Sequence, residues 1–348
     1  MALRWIEGFE NMGPAGTTGL DLYDAMHKKW SYLEHHNSAS IQVGRDGVGL
    51  GFKYPNSNSC LFRQRLEAEH TTWIVGFGWR GSDWFIDNSD LMMLLSPVGW
   101  QQVRLRRMMN GELRIYTGDT FRGESVGANL AVLQWNYIEV KAYIHDSAGT
   151  VEVRVDGNTV LSLSGIDTDP WNHDTVQGVQ FTIDRTCMYD DIYVCDGDGP
   201  APHNDFLGPC RIEGISLYGD EPSNQWDASG PSSHVSYLNE VILDDDASYV
   251  ETDVSGSVDM FSWGSLYPSL EVLGLQLNAC TRTLAAHGWE LYFRIDSNGT
   301  IEDFDSGDEY SAHEYYQMNY GISTIDPDTG VVWTPEGINN ATFGVKAV

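Results

Sequence analysis

The chain has 348 residues, a formal net charge of −30 and an aromatic content of 12%. Single cores rarely grow beyond about 250–300 residues, so we expect two domains. The acidic balance argues against nucleic acid as a partner, because phosphate binding depends on Lys and Arg. No stretch approaches the roughly 18 apolar residues of a membrane helix, so no membrane partner is expected either.

The charge is unevenly distributed along the chain. Residues 1–200 hold 26 acidic and 16 basic residues, whereas residues 201–348 hold 24 acidic and only 4 basic residues. The two segments are therefore predicted to face different surroundings, although acidic surfaces also serve simply to keep a protein dispersed. The start of the chain carries Glu7 and lacks the layout of a signal peptide, which favours a cytoplasmic origin. An odd number of widely spaced cysteines favours free thiols.

Short apolar runs separated by turn residues dominate the first half of the chain. Leu3 to Phe9 is predicted to be a strand, and the spacing of apolar residues from Thr18 to Trp30 indicates one short helix. Turns such as Asn110-Gly111 then separate a long series of strand patterns, of which Trp135 to His145 is the clearest. About fourteen short strands without crossover helices predict two stacked antiparallel sheets, a jelly-roll sandwich.

The second half also has strand patterns, with different details. Residues 211–218 are predicted to be a strand, and the apolar run 270–281 a buried central strand. Residues 289–296 and 300–304 are predicted to form a hairpin across an Asn-Gly turn. Thr334-Pro335 has the pattern of a helix cap followed by Pro at the first helical position, which indicates one helical turn.

Three motifs in the first half resemble a known sandwich family. They are W-x-x-I-E-V-K at residues 135–141, V-E-V-R-V-D-G-N at 151–158 and D-D-I-Y-V-C-D at 190–196. In this order they resemble paired strands and the closing strand of concanavalin A-like, laminin G-like domains. The resemblance implies that the first domain has this fold.

Gly197, Gly199 and Pro200 break the strand pattern between the two halves. We therefore expect an all-β protein with very little helix, built from two β-sandwich (jelly-roll) domains. The first, concanavalin A/laminin G-like, covers residues 1–197. A hinge covers 198–204, and an acidic second β-sandwich covers 205–348.

The junction and the end of the chain are similar to a class of tailed-bacteriophage virion proteins. The matching motifs are N-D-F-L-G-x-x-R-I-E at residues 204–213 and V-W-T-P-E-G-I-N-N-A-T-F-G-V at 332–345, and Cys210 departs from the pattern. The resemblance implies a non-enzymatic structural subunit of the tail or capsid exterior, assembled in the host cytoplasm. Its expected partners are other virion proteins and further copies of itself.

A polysaccharide-degrading enzyme is the weaker alternative. Retaining glycosidases place two carboxylates about 5–5.5 Å apart, and a strand with E-x-D-x-x-E supplies that spacing. The nearest match, Glu251-Thr-Asp253, lacks the third acid, and no G-x-S-x-G, H-E-x-x-H or P-loop motif occurs. No catalytic residue is assigned from the sequence.

A glycan- or receptor-binding adhesin is the nearer alternative, with a host-surface glycan as its partner. Sugar binding uses exposed aromatic rings beside Asp or Asn side chains, although most Trp residues of a sandwich lie in the core. The segment between residues 79 and 100 concentrates these residue types. The candidates for carbohydrate binding are Trp79, Asp83, Trp84, Asn88 and Trp100.

Calcium is the one cofactor that the sandwich resemblance implies. A hard cation takes oxygen ligands, which loop carboxylates supply, although Asp is also common in turns for its own hydrogen bonds. The predicted metal ligands are Asp83, Asp87, Asp90, Asp303, Asp305 and Asp308. A further acidic loop contains Asp167, Asp169 and Asp174.

Overall fold

The protein is all-β, as expected. A computed structural model describes residues 2–34, 38–54, 60–82, 89–127, 130–183, 187–240, 242–283, 290–305 and 316–348. These residues form 24 strands and two short α-helices. The chain divides into two compact units, Met1–Glu213 and Gly214–Val348, which we call unit 1 and unit 2.

Unit 1 contains fifteen strands and one helix. Their bounds are β1 Leu3–Glu7, α1 Gly19–Lys29, β2 Tyr32–Glu34, β3 Ser40–Val43, β4 Leu50–Tyr54, β5 Cys60–His70, β6 Thr72–Arg80, β7 Ser89–Leu95, β8 Gln101–Arg107, β9 Leu113–Thr117, β10 Thr120–Glu124, β11 Asn136–Tyr143, β12 Gly149–Val155, β13 Asn158–Ile166, β14 Val176–Ile183 and β15 Cys187–Cys195.

Two antiparallel sheets form the sandwich of unit 1. One has the strand order β13-β12-β11-β6-β15-β4-β3, with β1 pairing with β15, and the other is seven-stranded in the order β10-β9-β8-β7-β14-β5-β2. Phe181 of the seven-stranded sheet lies 5.3 Å from Phe62 on its own sheet and 5.3 Å from Phe77 on the other, measured between ring centroids. These rings bury the inner faces of both sheets against each other, so the sandwich prediction is confirmed.

The helix α1 lies within residues 18–30, where the spacing of apolar residues predicts a helix. Leu22 and Met26, four residues apart, are buried on its inner side. At its end, Lys29 forms an ion pair of 2.9 Å with Glu7, and both side chains are buried. A buried charge pair is tolerated only when each partner is neutralised, so this pair fixes the helix against the first strand.

Residues 205–213 belong to unit 1, whereas the sequence pattern assigned them to the second domain. The backbone N–H of Ile212 donates to Asp191 Oδ1 at 2.8 Å, and that of Gly208 donates to Glu139 Oε1 at 2.8 Å. The preceding residues are also closely packed, since a Cβ on Gly199 would clash with Ala2. Hydrogen bonds to buried carboxylates, which no local pattern shows, extend unit 1 beyond the Gly- and Pro-rich stretch.

Unit 2 contains nine strands and one helix. Their bounds are β16 Leu217–Asn224, β17 Asp227–Ala228, β18 Val250–Glu251, β19 Val258–Trp263, β20 Leu275–Thr281, β21 Leu291–Ser297, β22 Thr300–Asp305, β23 Gln317–Ser323, α2 Pro335–Asn340 and β24 Thr342–Ala347. The main sheet has the order β16-β19-β24-β21-β22, and β17-β18 and β20-β23 form two-stranded sheets.

The details of unit 2 differ from the sequence pattern in places. The strand expected over 270–281 begins only at Leu275, pairs with β23 and is half-buried, so the prediction of a buried central strand is wrong. Its apolar residues face the main sheet, where Leu277 packs against Phe293. The C-terminal helix is confirmed: Thr334 Oγ1 accepts a hydrogen bond of 3.0 Å from the N–H of Gly337.

All five cysteines are free, as the sequence predicts. Cys60, Cys187 and Cys195 are buried in unit 1, and burial raises the pKa of the Cys60 thiol to about 12. These thiols therefore behave as small apolar core residues. Neither helix in the described part of the chain is long and apolar enough to cross a membrane.

Candidate functional site

Polar side chains form a row across the outer face of the seven-stranded sheet. In the strand register, Arg63 pairs with Gln180, Gln180 with Met93, Met93 with Arg104 and Arg104 with Tyr116. Residues paired across strands point to the same side of a sheet. Because the intervening apolar residues point inward, these five side chains lie on the outer side of the sheet, where Gln180, Met93 and Arg104 are buried and Arg63 and Tyr116 are half-buried. We call them the arginine row.

Further arginines lie beside this row. Arg106 binds Asp90 through two hydrogen bonds, of 2.6 and 3.0 Å. The guanidinium carbons of Arg104 and Arg106 lie 5.5 and 4.8 Å from the centroid of the Tyr116 ring, within cation–π distance. Arg114 forms an ion pair of 3.0 Å with Glu124 on the neighbouring strand. The face is therefore rich in planar guanidinium groups around one phenol.

A pocket of about 420 Å³ opens beside the arginine row. Trp100 and Trp171 are 52% and 40% exposed, which is unusual for so large an apolar side chain. Their ring centroids lie 5.4 Å apart with an interplanar angle of 66°. The pocket, which we call the tryptophan pocket, is lined by Gly99, Trp100, Gln101, Gly118, Asp119 and Trp171.

The two turns beside the pocket require glycine. Gly118 has a φ of +53°, and a Cβ there would lie 3.3 Å from Pro170 and from the Trp171 ring. The indole N–H of Trp171 donates to the carbonyl of Gln101 at 3.0 Å. Gly99 has a φ of +85°, and a Cβ there would lie 3.5 Å from Arg63 Nη1, so this turn reaches the arginine row. The glycines let the Trp171 ring and Arg63 approach the backbone closely.

Asp169 holds the loop that carries Trp171. Its carboxylate accepts hydrogen bonds from the backbone N–H groups of His173 and Asp174, both at 2.9 Å, and from Gln102 Nε2 at 2.8 Å. Burial alone would raise the pKa of Asp169, but these hydrogen bonds outweigh it and lower the pKa. Asp169, one of the loop acids predicted as possible calcium ligands, thus serves here to fix the loop.

The residues predicted to bind carbohydrate lie in different places in the structure. Trp100 lines the tryptophan pocket. Trp79 is fully buried, with its ring 5.7 Å from the guanidinium carbon of Arg107, so it offers no ring face to a sugar and that assignment is wrong. Asp83, Trp84 and Asn88 lie outside the described residues.

Two of the predicted metal ligands are already bound by basic side chains. Asp90 is held by Arg106, as described above, and Asp303 accepts hydrogen bonds from Arg294 at 2.5 and 2.7 Å and from Lys346 at 2.9 Å. The negative charge of each carboxylate is thus already balanced by basic side chains, which does not favour a cation at Asp90 or Asp303. Asp305 lies exposed at the end of β22. Asp87 and Asp308 lie outside the described residues.

The acidic groups that the described residues bring together are already bound by basic groups and backbone donors of the chain itself. At His70, Asp196 and Asp198, the guanidinium of Arg4 donates to Asp196 and lies 3.1 Å from His70 Nε2, so a cation already fills the cluster. This arrangement does not suit a metal ion.

The carboxylates around the turn at Gly44 are also bound by donors of the chain itself. Asp190 Oδ2 accepts a hydrogen bond of 2.6 Å from the backbone N–H of Arg45, and the Arg45 guanidinium donates to Asp191 at 2.6 Å. Glu10 reaches the same turn, accepting a hydrogen bond of 3.0 Å from the N–H of Leu50. Burial raises the pKa of Glu10 to about 7, and burial together with Asp191 raises that of Asp190. These carboxylates are therefore arranged for hydrogen bonds within the chain and not around a cation.

Sequence reasoning missed Trp171 and the whole arginine row. A signal was present, because Arg63 and Arg65 alternate with buried residues on β5, as Arg104 and Arg106 do on β8. Alternating arginines on strands of an acidic chain mark an outer sheet face. The register that brings Gln180 and Tyr116 into the same row depends on non-local pairing, which no local pattern shows.

Comparisons with known proteins give a consistent but distant picture. No family model and no curated protein matches the sequence. Among solved structures, alginate lyase Aly36B matches with 11% identity and a TM-score of 0.40, covering 54% of this chain and 95% of that one. The cellulose induced protein Cip1 matches with 12% identity and a TM-score of 0.39, covering 55% and 96%. A Trypanosoma rangeli sialidase matches with 12% identity and a TM-score of 0.32, covering 46% and 27%.

At these identities and scores the likeness concerns the arrangement of strands and carries no argument about activity. The solved structures named above are a lyase, a cellulose induced protein and a sialidase, and none is a virion component. On this finding the main interpretation from the sequence, a non-enzymatic phage structural subunit acting through protein packing, is wrong.

Proposed function

We propose that unit 1 binds a polysaccharide on the outer face of its seven-stranded sheet. Trp100 and Trp171 would stack against sugar rings, and the arginine row would form hydrogen bonds to the same chain. The observation that carries the proposal is the pair of exposed tryptophans in one pocket beside this row. Apolar ring faces combined with a few fixed polar groups are typical of ligand pockets.

The preorganisation of the pocket supports this role. The hydrogen bonds that Asp169 accepts from its loop, and the bond from the Trp171 indole to Gln101, hold the Trp171 ring in place before any ligand arrives. A ring that is already ordered loses little conformational entropy on binding. Exposing two such rings to water has a cost, which a ligand that covers them would offset.

Cleavage of the bound chain is a second candidate, favoured by Tyr116. Its ring lies beside the guanidinium groups of Arg104 and Arg106 on the open face. A tyrosine can act as a general base in its phenolate form and return the proton from its phenol form, which is the chemistry of a general base and acid. Incubating the protein with polysaccharides and measuring new reducing ends tests this candidate. Activity that is lost in Tyr116→Phe supports it, and the absence of new reducing ends on every substrate contradicts it.

Affinity gel electrophoresis tests the main proposal directly. The wild type should be retarded by at least one polysaccharide from a panel of neutral and acidic polymers. The double variant Trp100→Ala/Trp171→Ala should bind at least about 30-fold more weakly, because a truncated aromatic anchor costs about 2 kcal/mol or more.

The control is Tyr267→Ala, which removes an aromatic side chain of unit 2 that is 77% exposed. It should migrate as the wild type does. If no polymer retards the wild type, or if the double variant binds as tightly as the control, carbohydrate binding at this face is refuted. Unchanged thermal unfolding of the variants shows that the fold is preserved.

A further inference from the structure

The charge of Arg63 is held in place without being neutralised. Its Nε and Nη2 donate to Gln180 Oε1 at 3.2 and 2.7 Å, and its guanidinium carbon lies 5.4 Å from the centroid of the Tyr32 ring. Among the residues that the structure describes, no carboxylate lies within ion-pair distance of this guanidinium. The carboxamide and the ring fix the orientation of Arg63 and leave its full positive charge on the face.

Arg65 repeats this arrangement on the same strand. Its Nη2 donates to the carboxamide oxygen of Gln177 at 3.0 Å, and its side chain is exposed. Two arginines on one strand are thus bound to neutral partners in a chain whose acidic residues outnumber its basic residues by 50 to 20. In so acidic a chain, arginines left without acidic partners are candidates for contact with an anion.

Arg104 extends the positive charge along the row. The residue is only 8% exposed, and its Nε is buried without a hydrogen-bond partner. It forms a long ion pair of 3.8 Å with Asp90, which Arg106 also binds, and a shorter one of 3.1 Å with Asp119. The Asp119 carboxylate is 94% exposed and lines the tryptophan pocket. An exposed pair of this kind contributes little, so a ligand anion can compete with Asp119 for the guanidinium.

The positions of these groups match an extended ligand. Arg63 and Arg104 lie on strands separated by two others, β14 and β7, which places them roughly 14 Å apart at a strand spacing of about 4.8 Å. Gly99 brings the wall of the tryptophan pocket next to Arg63. A chain that stacks on Trp100 or Trp171 and continues across the sheet would therefore pass over both guanidinium groups.

We infer that the ligand is an anionic polysaccharide, whose carboxylate or sulfate groups bind Arg63 and Arg104 while its sugar rings contact the tryptophan pocket. Arginine binds both groups through paired N–H donors. The rest of the acidic chain does not prevent this, because charges beyond about 8 Å are largely screened at physiological salt. On β5 the positive region around Arg63 and Arg65 ends where the acidic residues Glu67 and Glu69 follow. The inference rests on the proposed carbohydrate binding and specifies its substrate class.

Calorimetric titration with three polymers tests it. Polygalacturonate carries carboxylates, dextran sulfate carries sulfates, and dextran carries neither charge. We expect binding to at least one charged polymer, no binding to dextran, and an affinity that falls as salt increases. The charged polymer that binds more tightly identifies the anionic group that is recognised.

Arg63→Gln should weaken binding to the charged polymer about tenfold. Arg63→Lys, which keeps the charge and loses the paired donors, should fall between it and the wild type. The matched control is Arg294→Gln, which removes an arginine of unit 2 that is already paired with Asp303. It should bind as the wild type does.

The possible results separate the two claims. Binding of dextran as tightly as of the charged polymers, with the same dependence on the two tryptophans, would overturn the anionic class and leave carbohydrate binding intact. Equal affinities for wild type and Arg63→Gln would also overturn it. Binding of none of the polymers at any salt concentration would count against both claims.

Discussion

Arg63 of unit 1 and Arg294 of unit 2 both lie on a sheet face, but they have opposite kinds of partner. In unit 2, Arg294 forms two hydrogen bonds with Asp303 on the adjacent strand, and Lys346 from the other neighbour binds the same carboxylate. This pairing raises the pKa of Arg294 and lowers that of Asp303. In unit 1, Arg63 instead binds the neutral carboxamide of Gln180. The sheet of unit 1 also contains closed ion pairs, such as Arg106 with Asp90, but Arg63 keeps its charge without an acidic partner among the described residues.

This difference separates an arginine that stabilises its own sheet, Arg294, from one whose charge remains available to a ligand, Arg63. Cross-strand ion pairs stabilise a sheet modestly and need nothing further. A guanidinium fixed by a neutral amide keeps both its orientation and its charge, which is what recognition of an anion needs. The exposed tryptophans occur beside the open arrangement, and not beside Arg294 in the described part of unit 2. The contrast therefore marks the outer face of unit 1 as the binding surface.

The largest effect should come from the loop that positions Trp171. Asp169→Ala removes the acceptor of three hydrogen bonds at a residue that is 3% exposed. We expect a loss of about 2–3 kcal/mol in the free energy of unfolding, because hydrogen bonds to buried charges are costly to break. Polysaccharide binding should be lost as well. Urea unfolding and affinity electrophoresis measure both effects.

The control for this variant is Asp167→Ala in the same loop. Its side chain is 36% exposed, pairs with Arg122 and accepts one hydrogen bond, from the backbone N–H of Asp169, where Asp169 accepts three. Partly exposed ion pairs contribute up to about 1 kcal/mol, so the loss should be clearly smaller. Equal losses in the two variants would show that Asp169 does not hold the loop, and would remove the structural basis of the pocket.

A smaller effect should follow from Gly118→Ala. The positive φ and the contact of the new Cβ with Trp171 should together cost about 1–2 kcal/mol of unfolding free energy and weaken binding several-fold. Gly127 has a φ of +72° and open space around its Cβ position. Gly127→Ala should therefore lose stability through strain alone and bind normally. If both variants bind normally, close packing of Trp171 on this turn is not needed for recognition.

The smallest effect should come from breaking the closed pair of unit 2. Arg294→Gln should cost about 1 kcal/mol or less at neutral pH. Because the pKa of Asp303 is lowered in the folded state, its stabilising contribution is present above the ordinary pKa of Asp, near 3.8, and is lost as the pH falls through the lowered value. The stability difference between wild type and Arg294→Gln should therefore shrink as the pH falls below about 4. A difference that stays constant down to pH 2 contradicts the role given to this pair.

Much of the fold could be predicted from the sequence, because it depends on local patterns. Alternation on β11 and the Thr334-Pro335 cap predict elements that the structure contains. The buried strand expected from residue 270 fails because an apolar run alone does not show where pairing begins. Residues 271–274 lie outside any strand, and β20 starts at Leu275, where Ser323 of β23 lies opposite.

The candidate site could be predicted only in part. Trp100 was named because it lies close in sequence to the Asp- and Asn-containing segment 83–90, and the same reasoning failed for Trp79, which a strand position buries. Asp90 was named as a metal ligand for its place in an acidic loop. The sequence cannot show that Arg106 lies opposite it on the neighbouring strand. Arg63 and Gln180 are 117 residues apart and meet only through strand register.

The central claim is that polysaccharide contacts the tryptophan pocket of unit 1. The chain contains 12 tryptophans, and each gives one indole N–H signal in the NMR spectrum of the isotope-labelled protein. The variants Trp100→Phe and Trp171→Phe assign the two signals of the pocket. On titration with the polysaccharide that binds most tightly, these two signals should shift most. If they stay in place while binding saturates, the ligand lies elsewhere and the account of this face is contradicted.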